Sequence, residues 1–314
     1  MKIWLYYWHN KNIGKNLGDW LSLLLVSEFA QHKVIEFDAR INGSGWIEAL
    51  RILFFRIRKR ITDPKEAEPV SFFQFFSRFF CHRKKRLFAI GSIMEMGYKN
   101  CIYWGTGFMH PSSDFRGGVV RAVRGKLSKD KLKGIPGWET ITLGDPSLLL
   151  PLWKAPTIYP KEHIVSIIPH YVDFDYFMRN YGEKFHIIDI RTDDIDRVLE
   201  EILKSQYIFS SSLHGLIIAH VYHIPALWIR YSDFGKGGDV CFKYHDYFSS
   251  VNIPFYNGFF DLDKLLENGK GIADFFEKNS EIAHIHCDLS LIQKELLRSF
   301  PFALKKKYQE WIDF

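Results

Sequence analysis

The region between residues 164 and 230 restricts the fold most, because short apolar runs alternate there with helical patterns. Residues 164–169, 186–190, 207–210 and 226–230 are apolar runs of strand length, and residues 174–180, 193–204 and 213–222 follow helical patterns. Strands this short and apolar, joined through helices, are typical of a parallel sheet that is covered on both faces. The sequence therefore predicts an α/β fold.

The first half of the chain shows the same alternation less regularly. It predicts strands at residues 2–8, 86–92, 101–107, 119–124 and 140–143, and a helix at residues 19–30. Pro151, Pro156 and Pro160 mark residues 151–163 as a linker. We expect a Rossmann-like domain over residues 1–150 and a second one, with a helical tail, over residues 164–314. Two such domains would face each other across a cleft at the carboxyl ends of their strands.

The net charge of +6 is concentrated in one segment. Between Gly45 and Arg86 there are 11 Lys or Arg residues against 4 Asp or Glu residues, so the rest of the chain is close to neutral. This distribution argues against a nucleic-acid partner.

The four cysteines include no CxxC pair, and no cluster of histidines or carboxylates has the spacing of metal ligands. We therefore expect no metal site.

The basic segment also carries many aromatic residues, as in SFFQFFSRFF at residues 71–80. Two interpretations stand. Cations beside exposed aromatic rings suit the surface of an anionic membrane, which predicts peripheral membrane contact. The alternative is a pair of ordinary helices whose apolar faces belong to the core and whose charges are solvated.

One uncharged stretch, residues 205–229, is long enough to span a membrane. Its three consecutive serines and Pro225 favour a buried strand, helix and strand instead. The apolar run at the N-terminus is too short for a signal peptide. We therefore expect no transmembrane segment and a cytoplasmic protein, with the inner face of the cell membrane as the peripheral site suggested by the basic segment.

The most informative loop is SSSLHG at residues 210–215, between a predicted strand and a predicted helix. Ser211 and Ser212 fall at a helix N-terminus, where free N–H groups and the helix dipole favour a phosphate or carboxylate. His214 lies in the first helical turn, and a neighbouring anion would raise its pKa and suit it to general acid catalysis. The alternative is a capped helix whose histidine fills a polar gap.

Three loops of the first half carry further candidates. Asn16 and Asp19 flank Gly18 where the first strand turns into a helix, a place where the backbone can approach a ligand. Trp104 precedes a Gly-Thr-Gly turn and could pack on a sugar ring, although a core tryptophan is the plainer interpretation. Arg124 ends an apolar strand, where a guanidinium is costly to bury unless it meets an anion.

Two candidates come from the second half. His170 follows a predicted strand, so it should point towards the same cleft as the serine loop. Lys243 stands among aromatic residues after a glycine-rich loop, which suggests a flexible element that closes over a charged ligand.

These segments, in this order, resemble the polysaccharide pyruvyl transferase family, and within it the branch that acts in bacterial exopolysaccharide and capsule synthesis. The matching stretches are NLGDWL, WGTG, VRGKLS, LGDPSLLLP, IPHY, SSSLHGLIIAHVYHIPALWI and FKYHDYFSSV. The resemblance implies two Rossmann-like domains arranged as in the GT-B glycosyltransferases. It also implies phosphoenolpyruvate as donor and Arg124 and His214 as residues of the donor site. Many family members carry Arg where this chain has Ser212, and Lys243 is our candidate for the replacement cation.

On this basis we expect the C-terminal domain to bind phosphoenolpyruvate and the N-terminal domain to bind the acceptor. The donor-binding set is Arg124, His170, Ser211, Ser212 and Lys243, and the acceptor-binding set is Asn16, Asp19 and Trp104. His214 would protonate the methylene carbon of the donor, and a sugar hydroxyl would attack the resulting oxocarbenium-like centre. Phosphate would then leave, and a second hydroxyl would close the ketal. Phosphoenolpyruvate is a co-substrate, so no cofactor is expected, and the acceptor sugar can be free or lipid-linked.

Two other classes of function remain open at the level of sequence. A GT-B glycosyltransferase would use the same helix N-terminus for a nucleotide diphosphate. A non-catalytic sugar-binding or scaffolding protein would use the cleft for binding alone. Thermal stabilisation by phosphoenolpyruvate and not by nucleotide sugars, together with phosphate release, would separate pyruvyl transfer from both.

Overall fold

The computed structural model describes residues 2–8, 15–36, 85–230, 241–260 and 271–313. It contains two parallel β-sheets with helices packed against them, which confirms the predicted α/β class. The basic aromatic segment at residues 45–86 lies outside the described residues except for its last two, and so does the glycine-rich loop before Lys243.

The first sheet has six strands in the order β2-β1-β3-β4-β5-β6, and every neighbouring pair is parallel. Its strands are β1 (Lys2–Tyr6), β2 (Lys33–Glu36), β3 (Arg86–Phe88), β4 (Cys101–Trp104), β5 (Val119–Val123) and β6 (Thr142–Leu143). The register places Trp4 of β1 opposite Ile35 of β2 and Arg86 of β3. All of these strands except β2 fall within predicted runs.

The second sheet has four parallel strands in the order β10-β9-β7-β8. They are β7 (His163–Ile168), β8 (His186–Ile187), β9 (Ser205–Ser210) and β10 (Ala226–Trp228). The uncharged stretch at residues 205–229 therefore folds as strand, helix and strand. Within the described ranges, no helix has both the length and the apolar character needed to cross a bilayer.

The helices that cover the sheets are mostly short. They are α1 (Leu17–Phe29), α2 (Lys126–Asp130), α3 (Leu150–Trp153), α4 (Phe174–Tyr181), α5 (Ile195–Leu203), α6 (Leu213–Val221), α7 (Cys241–Val251), α8 (Ile272–Lys278), α9 (Ser280–Ala283), α10 (Leu289–Arg298) and α11 (Lys306–Asp313). A 3-10 turn, Pro146–Leu149, precedes α3.

Both sheets reverse their strand order at the same relative position. The first strand of each sheet, β1 or β7, lies between the second and third strands of that sheet. Successive connections therefore leave in opposite directions, which opens a crevice at the carboxyl ends of β1 and β3 and another at those of β7 and β9. This Rossmann-like order places the loops after β1, β7 and β9 where ligands of parallel α/β proteins bind.

The two sheets share one hydrophobic core, to which Leu5 and Leu25 contribute from the first half and Ile168 and Leu216 from the second. The backbone N–H of Leu17 donates to the carbonyl of Ile190 at 2.8 Å, so α1 is tied directly to the second half. The domain division at residues 1–150 and 164–314 and the GT-B-like arrangement stay predictions.

The C-terminal helices pack against the first half of the chain. Gln293 of α10 donates to the carbonyl of Leu148 at 2.7 Å. Tyr308 of α11 packs its ring on Phe29 of α1, with centroids 4.6 Å apart. The end of the chain therefore braces the elements that carry the loops after β1 and β6.

Candidate functional site

The turn between β9 and α6 is held in place by its own serines. Ser210 Oγ accepts the backbone N–H of Ser212 at 3.0 Å and lies 2.9 Å from the carbonyl oxygens of Ile168 and Ser212. Ser212 caps α6, since its Oγ accepts the N–H of Gly215 at 3.4 Å. This fixes the helix N-terminus beside the carboxyl ends of β7 and β9.

Ser211 ties three elements together at this point. Its Oγ accepts the backbone N–H of His170 at 2.8 Å and donates to Asp173 Oδ2 at 3.2 Å. Its carbonyl accepts the hydroxyl of Tyr244 on α7 at 2.8 Å. The predicted donor residues Ser211, Ser212 and His170 are thus adjacent, although Ser211 and Ser212 already hold protein partners.

His214 occupies the first turn of α6, directly against the N-terminus of α1. A Cβ atom added to Gly18 would lie 2.3 Å from His214 Nδ1, so only glycine leaves room for the imidazole. His214 Nε2 is buried and has no hydrogen-bond partner among the described residues. A buried polar atom without a partner is costly, which makes this nitrogen a candidate for contact with a ligand.

The protonation of His214 depends on charges from both halves of the chain. Burial lowers the pKa of His214, the Asp145 carboxylate opposes that shift, and the positive charges of Arg124 and Lys243 add to it. In the ligand-free protein the imidazole is therefore neutral near pH 7. An anion bound beside it would favour the imidazolium form.

Asp19 lies in the first turn of α1, next to the glycine that touches His214. Asn16 Nδ2 donates to Asp19 Oδ2 at 2.7 Å. Burial raises the pKa of Asp19 to about 7, while the Asn16 hydrogen bond and the charge of Lys243 act in the opposite direction. Asn16 and Asp19 therefore lie in the same site as the predicted donor residues.

Lys243 lies in a helix that the sequence did not predict. The glycine-rich loop before it lies outside the described residues, so its closing role stays a prediction. Lys243 lies in the first turn of α7 and is half-buried. Burial and the neighbouring Arg124 lower the pKa of Lys243 to about 8, against the opposing charges of Asp19 and Asp173. Lys243 is a cation near neutral pH that gives up its proton more readily than an ordinary lysine.

His170 is a neutral group in this site. Burial and the positive charges of Lys243 and His214 lower the pKa of His170 to about 3. Its ring lies against Tyr171, with centroids 4.4 Å apart. Any contact between His170 and a donor would be a neutral hydrogen bond and not an ion pair.

Arg124 is fully buried, and the protein occupies much of its hydrogen-bonding capacity. Its Nε donates to Asp246 Oδ2 at 3.0 Å, Nη2 donates to the carbonyl of Phe108 at 2.8 Å, and Nη1 donates to Ser92 Oγ. Asp246 also accepts the N–H and the hydroxyl of Ser128, at 2.7 and 2.6 Å. A direct contact of Arg124 with the donor stays a prediction, whereas its charge does reach His214 and Lys243.

Trp104 does not offer a ring face to a sugar, which corrects the acceptor role we expected. It is fully buried, its Nε1 donates to the carbonyl of Leu296 at 2.9 Å, and its ring packs edge-on against Phe300 at 4.7 Å. The plainer interpretation, a tryptophan of the core, describes this residue.

Sequence reasoning gave no site role to Asp145, Asp173 or Asp246. Asp145 is fully buried, accepts the N–H of Ser147 at 2.9 Å through Oδ1, and leaves Oδ2 without a partner among the described residues. Because Asp145 precedes Pro146, the sequence indicates only a helix cap at this position. No local pattern indicates that its carboxylate raises the pKa of His214. Asp246 pairs with a residue 122 positions away, and no local pattern signals such a contact.

The site combines the N-terminus of α6, which follows β9, with the basic side chains of Arg124, His214 and Lys243. The carboxyl groups of Asp19 and Asp145 act on Lys243 and His214. Positive charge and the backbone N–H groups of a helix N-terminus suit an anionic ligand. The pKa of Asp19, which burial raises to about 7, lets its carboxyl exchange a proton near neutral pH. Within the described ranges, no group of three or more His, Cys, Asp or Glu side chains could hold a metal ion.

Comparison with known proteins shows the family of the chain. A family model described as polysaccharide pyruvyl transferase matches residues 16–233, which include all the candidate site residues except Lys243. The chain belongs to the polysaccharide pyruvyl transferase family. It is also 32% identical over 227 residues to the uncharacterized protein L143 of Acanthamoeba polyphaga mimivirus, across 69% of this chain and 77% of that protein. No solved structure matches the chain.

Proposed function

We propose that the protein transfers the carboxyvinyl group of phosphoenolpyruvate to a sugar, where it becomes a pyruvate ketal. Membership of the family supports pyruvyl transfer in polysaccharide biosynthesis. The observation that carries the donor assignment is His214, whose buried Nε2 has no partner among the described residues and stands at a helix N-terminus. A small, dense anion fits that combination better than a neutral ligand does.

Donor binding rests on charge from three directions. The N-terminus of α6 supplies backbone N–H groups and the positive end of its dipole. Lys243 supplies a cation from α7, in place of the Arg that many family members carry at the position of Ser212. Arg124 adds positive charge from within the protein, as its effect on the pKa of His214 and Lys243 indicates. Ser211 and His170 border the same space.

His214 serves as the general acid once the donor is bound. The donor anion raises the pKa of His214 from its lowered value in the free protein, and Asp145 acts in the same direction. The imidazolium then protonates the methylene carbon, which leaves an oxocarbenium-like centre at the neighbouring carbon. A sugar hydroxyl attacks that centre, phosphate leaves, and a second hydroxyl closes the ketal. One hydroxyl proton replaces the proton given to the methyl group, and the other leaves with phosphate.

The acceptor belongs to a surface polysaccharide or its lipid-linked precursor in this proposal. A cytoplasmic location follows from the proposed use of phosphoenolpyruvate. The bacterial exopolysaccharide branch and contact of residues 45–86 with an anionic membrane remain proposals drawn from the sequence alone.

A direct test measures donor selectivity. Phosphoenolpyruvate should raise the melting temperature of the protein, whereas UDP- and GDP-sugars should leave it unchanged. Phosphate release should then require both phosphoenolpyruvate and a glycan. Stabilisation by a nucleotide sugar and not by phosphoenolpyruvate would indicate a glycosyltransferase of the GT-B type instead.

A further inference from the structure

Among the described residues, one side chain forms a hydrogen bond with the carboxyl group of Asp19. Asn16 Nδ2 binds Oδ2 at 2.7 Å, and no other hydrogen bond to the carboxyl is found within the described ranges. Asp19 is half-buried and sits in the first turn of α1, where its backbone N–H donates to the carbonyl of Asn16 at 3.1 Å. Asn16 therefore orients the carboxyl, and its second oxygen, Oδ1, has no hydrogen-bond partner among the described residues and can accept a proton.

The groups around Asp19 come from four elements. Lys243 approaches from α7 and acts on the charge of Asp19. Tyr171, after β7, and Tyr7, after β1, both have their pKa raised in part by the charge of Asp19. His214 of α6 lies against the adjacent Gly18. Asp19 therefore follows, on the N-terminus of α1, the glycine that packs against His214 on the N-terminus of α6.

Three titratable groups near Asp19, namely His170, Tyr171 and Lys243, are poorly suited to accept a hydroxyl proton. Burial and nearby cations lower the pKa of His170 to about 3, which makes it a very weak base. Burial raises the pKa of Tyr171, so its hydroxyl stays protonated. Lys243 is needed as a cation beside the donor. Burial brings the pKa of Asp19 to about 7, which matches a base that works near neutral pH.

We propose that Asp19 is the general base that removes the proton from the acceptor hydroxyl as its oxygen attacks the donor. This inference rests on the proposed function and extends it, because the comparisons give Asp19 no role. The oxygen–carbon bond forms as the O–H bond breaks, and the proton moves to Asp19 Oδ1. From there it is returned to the acid that supplied the methyl proton, which restores both groups.

The test compares Asp19→Asn, which keeps the shape and the Asn16 contact, with the wild type. Phosphoenolpyruvate is combined with a panel of methyl glycosides of common hexoses, and the glycoside that gives most phosphate release is used throughout. We expect Asp19→Asn to keep the thermal shift with phosphoenolpyruvate and to lose turnover by about 10²–10⁴-fold. In the wild type, kcat/KM for the acceptor should fall below pH 7, and the residual activity of Asp19→Asn should lack that decline.

Two further variants complete the experiment. Asp193→Asn removes an exposed carboxylate that pairs with Lys15 near the same helix and should retain wild-type turnover. Asp19→Gly, with formate added as an external base, should regain activity, which a purely structural role for Asp19 would not allow. This rescue also decides the matter if Asp19→Asn folds poorly.

The outcomes separate the two claims. If the wild type neither binds phosphoenolpyruvate nor releases phosphate from it, the proposed function and this inference fall together. If the wild type is active and Asp19→Asn keeps near-normal turnover with the same pH profile, Asp19 is not the base and the proposed function stands. If formate fails to rescue a folded, donor-binding Asp19→Gly, the inference is also overturned.

Discussion

Arg124 and Asp246 form a fully buried ion pair, with Nε 3.0 Å from Oδ2, that joins the first sheet to helix α7. Asp246 follows Lys243 by three positions on α7, so the pair holds the turn of the helix that carries the site's lysine. Gly125, next to Arg124, packs so closely on α7 that an added Cβ would lie 1.6 Å from the carbonyl oxygen of Asp246. Arg124 therefore has a positioning role that does not depend on donor contact.

Replacing Arg124 with Ala should destabilise the fold by about 3–5 kcal/mol, because it leaves a buried carboxylate without its partner. Urea denaturation measures this loss. The double variant Arg124→Met, Asp246→Asn removes both charges and should recover part of the stability. If Arg124→Ala unfolds at the wild-type urea concentration and only weakens donor binding, the ion pair is not what holds α7 in place.

Replacing Gly18 with Ala should displace His214, since the new Cβ would lie 2.3 Å from Nδ1. We expect both binding of phosphoenolpyruvate and turnover to fall by at least 10-fold, as the imidazole leaves its position at the helix N-terminus. Gly271→Ala is a matched control, because an added Cβ there meets no atom within 4 Å. Equal activity of the two variants would show that the close approach of Gly18 to His214 is unimportant.

Binding of phosphoenolpyruvate should take up a proton near pH 7. In the free protein, burial and the charges of Arg124 and Lys243 hold the pKa of His214 below its ordinary value of 6.5. A bound trianion raises that pKa, so the Kd for the donor should increase as pH rises between the free and bound pKa values, by up to about 10-fold per pH unit. Calorimetry in buffers of different ionisation enthalpy measures the uptake.

The matched variant for that measurement is His214→Gln, which should lose turnover and most of the proton uptake. Proton uptake that is the same in both proteins would assign the titration to Asp19 or Lys243, whose pKa values are about 7 and about 8. In that case His214 would not be the acid.

Replacing Trp104 with Ala should cost stability and not acceptor affinity in particular. The indole is fully buried and its Nε1 holds the carbonyl of Leu296. Loss of a ring of this size from a core destabilises by about 3–5 kcal/mol. Trp104→Phe, which keeps a ring, should lose less. An acceptor KM that rises sharply in Trp104→Phe while stability is retained would restore the sugar-binding role.

The alternation of apolar runs and helical patterns predicted most of the fold. It predicted every strand of the second sheet, because strands buried on both faces are continuous apolar runs. It missed β2, whose four residues, KVIE, begin and end with an exposed charge. It also missed α7, since no helix was predicted for the residues around Lys243 and Asp246.

The sequence predicted the site residues whose place directly after a predicted strand indicates where they lie in a parallel sheet. His170, Ser211 and His214 follow the neighbouring strands β7 and β9, so strand order brings them to one edge of the second sheet. Asp19 belongs to the first half of the chain, and the packing of α1 against His214 brings it to this site. The roles of Arg124 and Trp104 were not predictable, because burial depends on what packs against a residue from far along the chain. Trp104 binds a residue 192 positions away.

The central claim is that the chain moves a pyruvyl group from phosphoenolpyruvate to a sugar. The most direct measurement is mass spectrometry of a panel of methyl glycosides after incubation with the protein and phosphoenolpyruvate, alongside an assay of released phosphate. We expect one product that has gained one pyruvate less one water, with one phosphate released for each product formed, and no product with His214→Gln. Transfer of a sugar from a nucleotide sugar to these glycosides, with phosphoenolpyruvate left unconsumed, would contradict it.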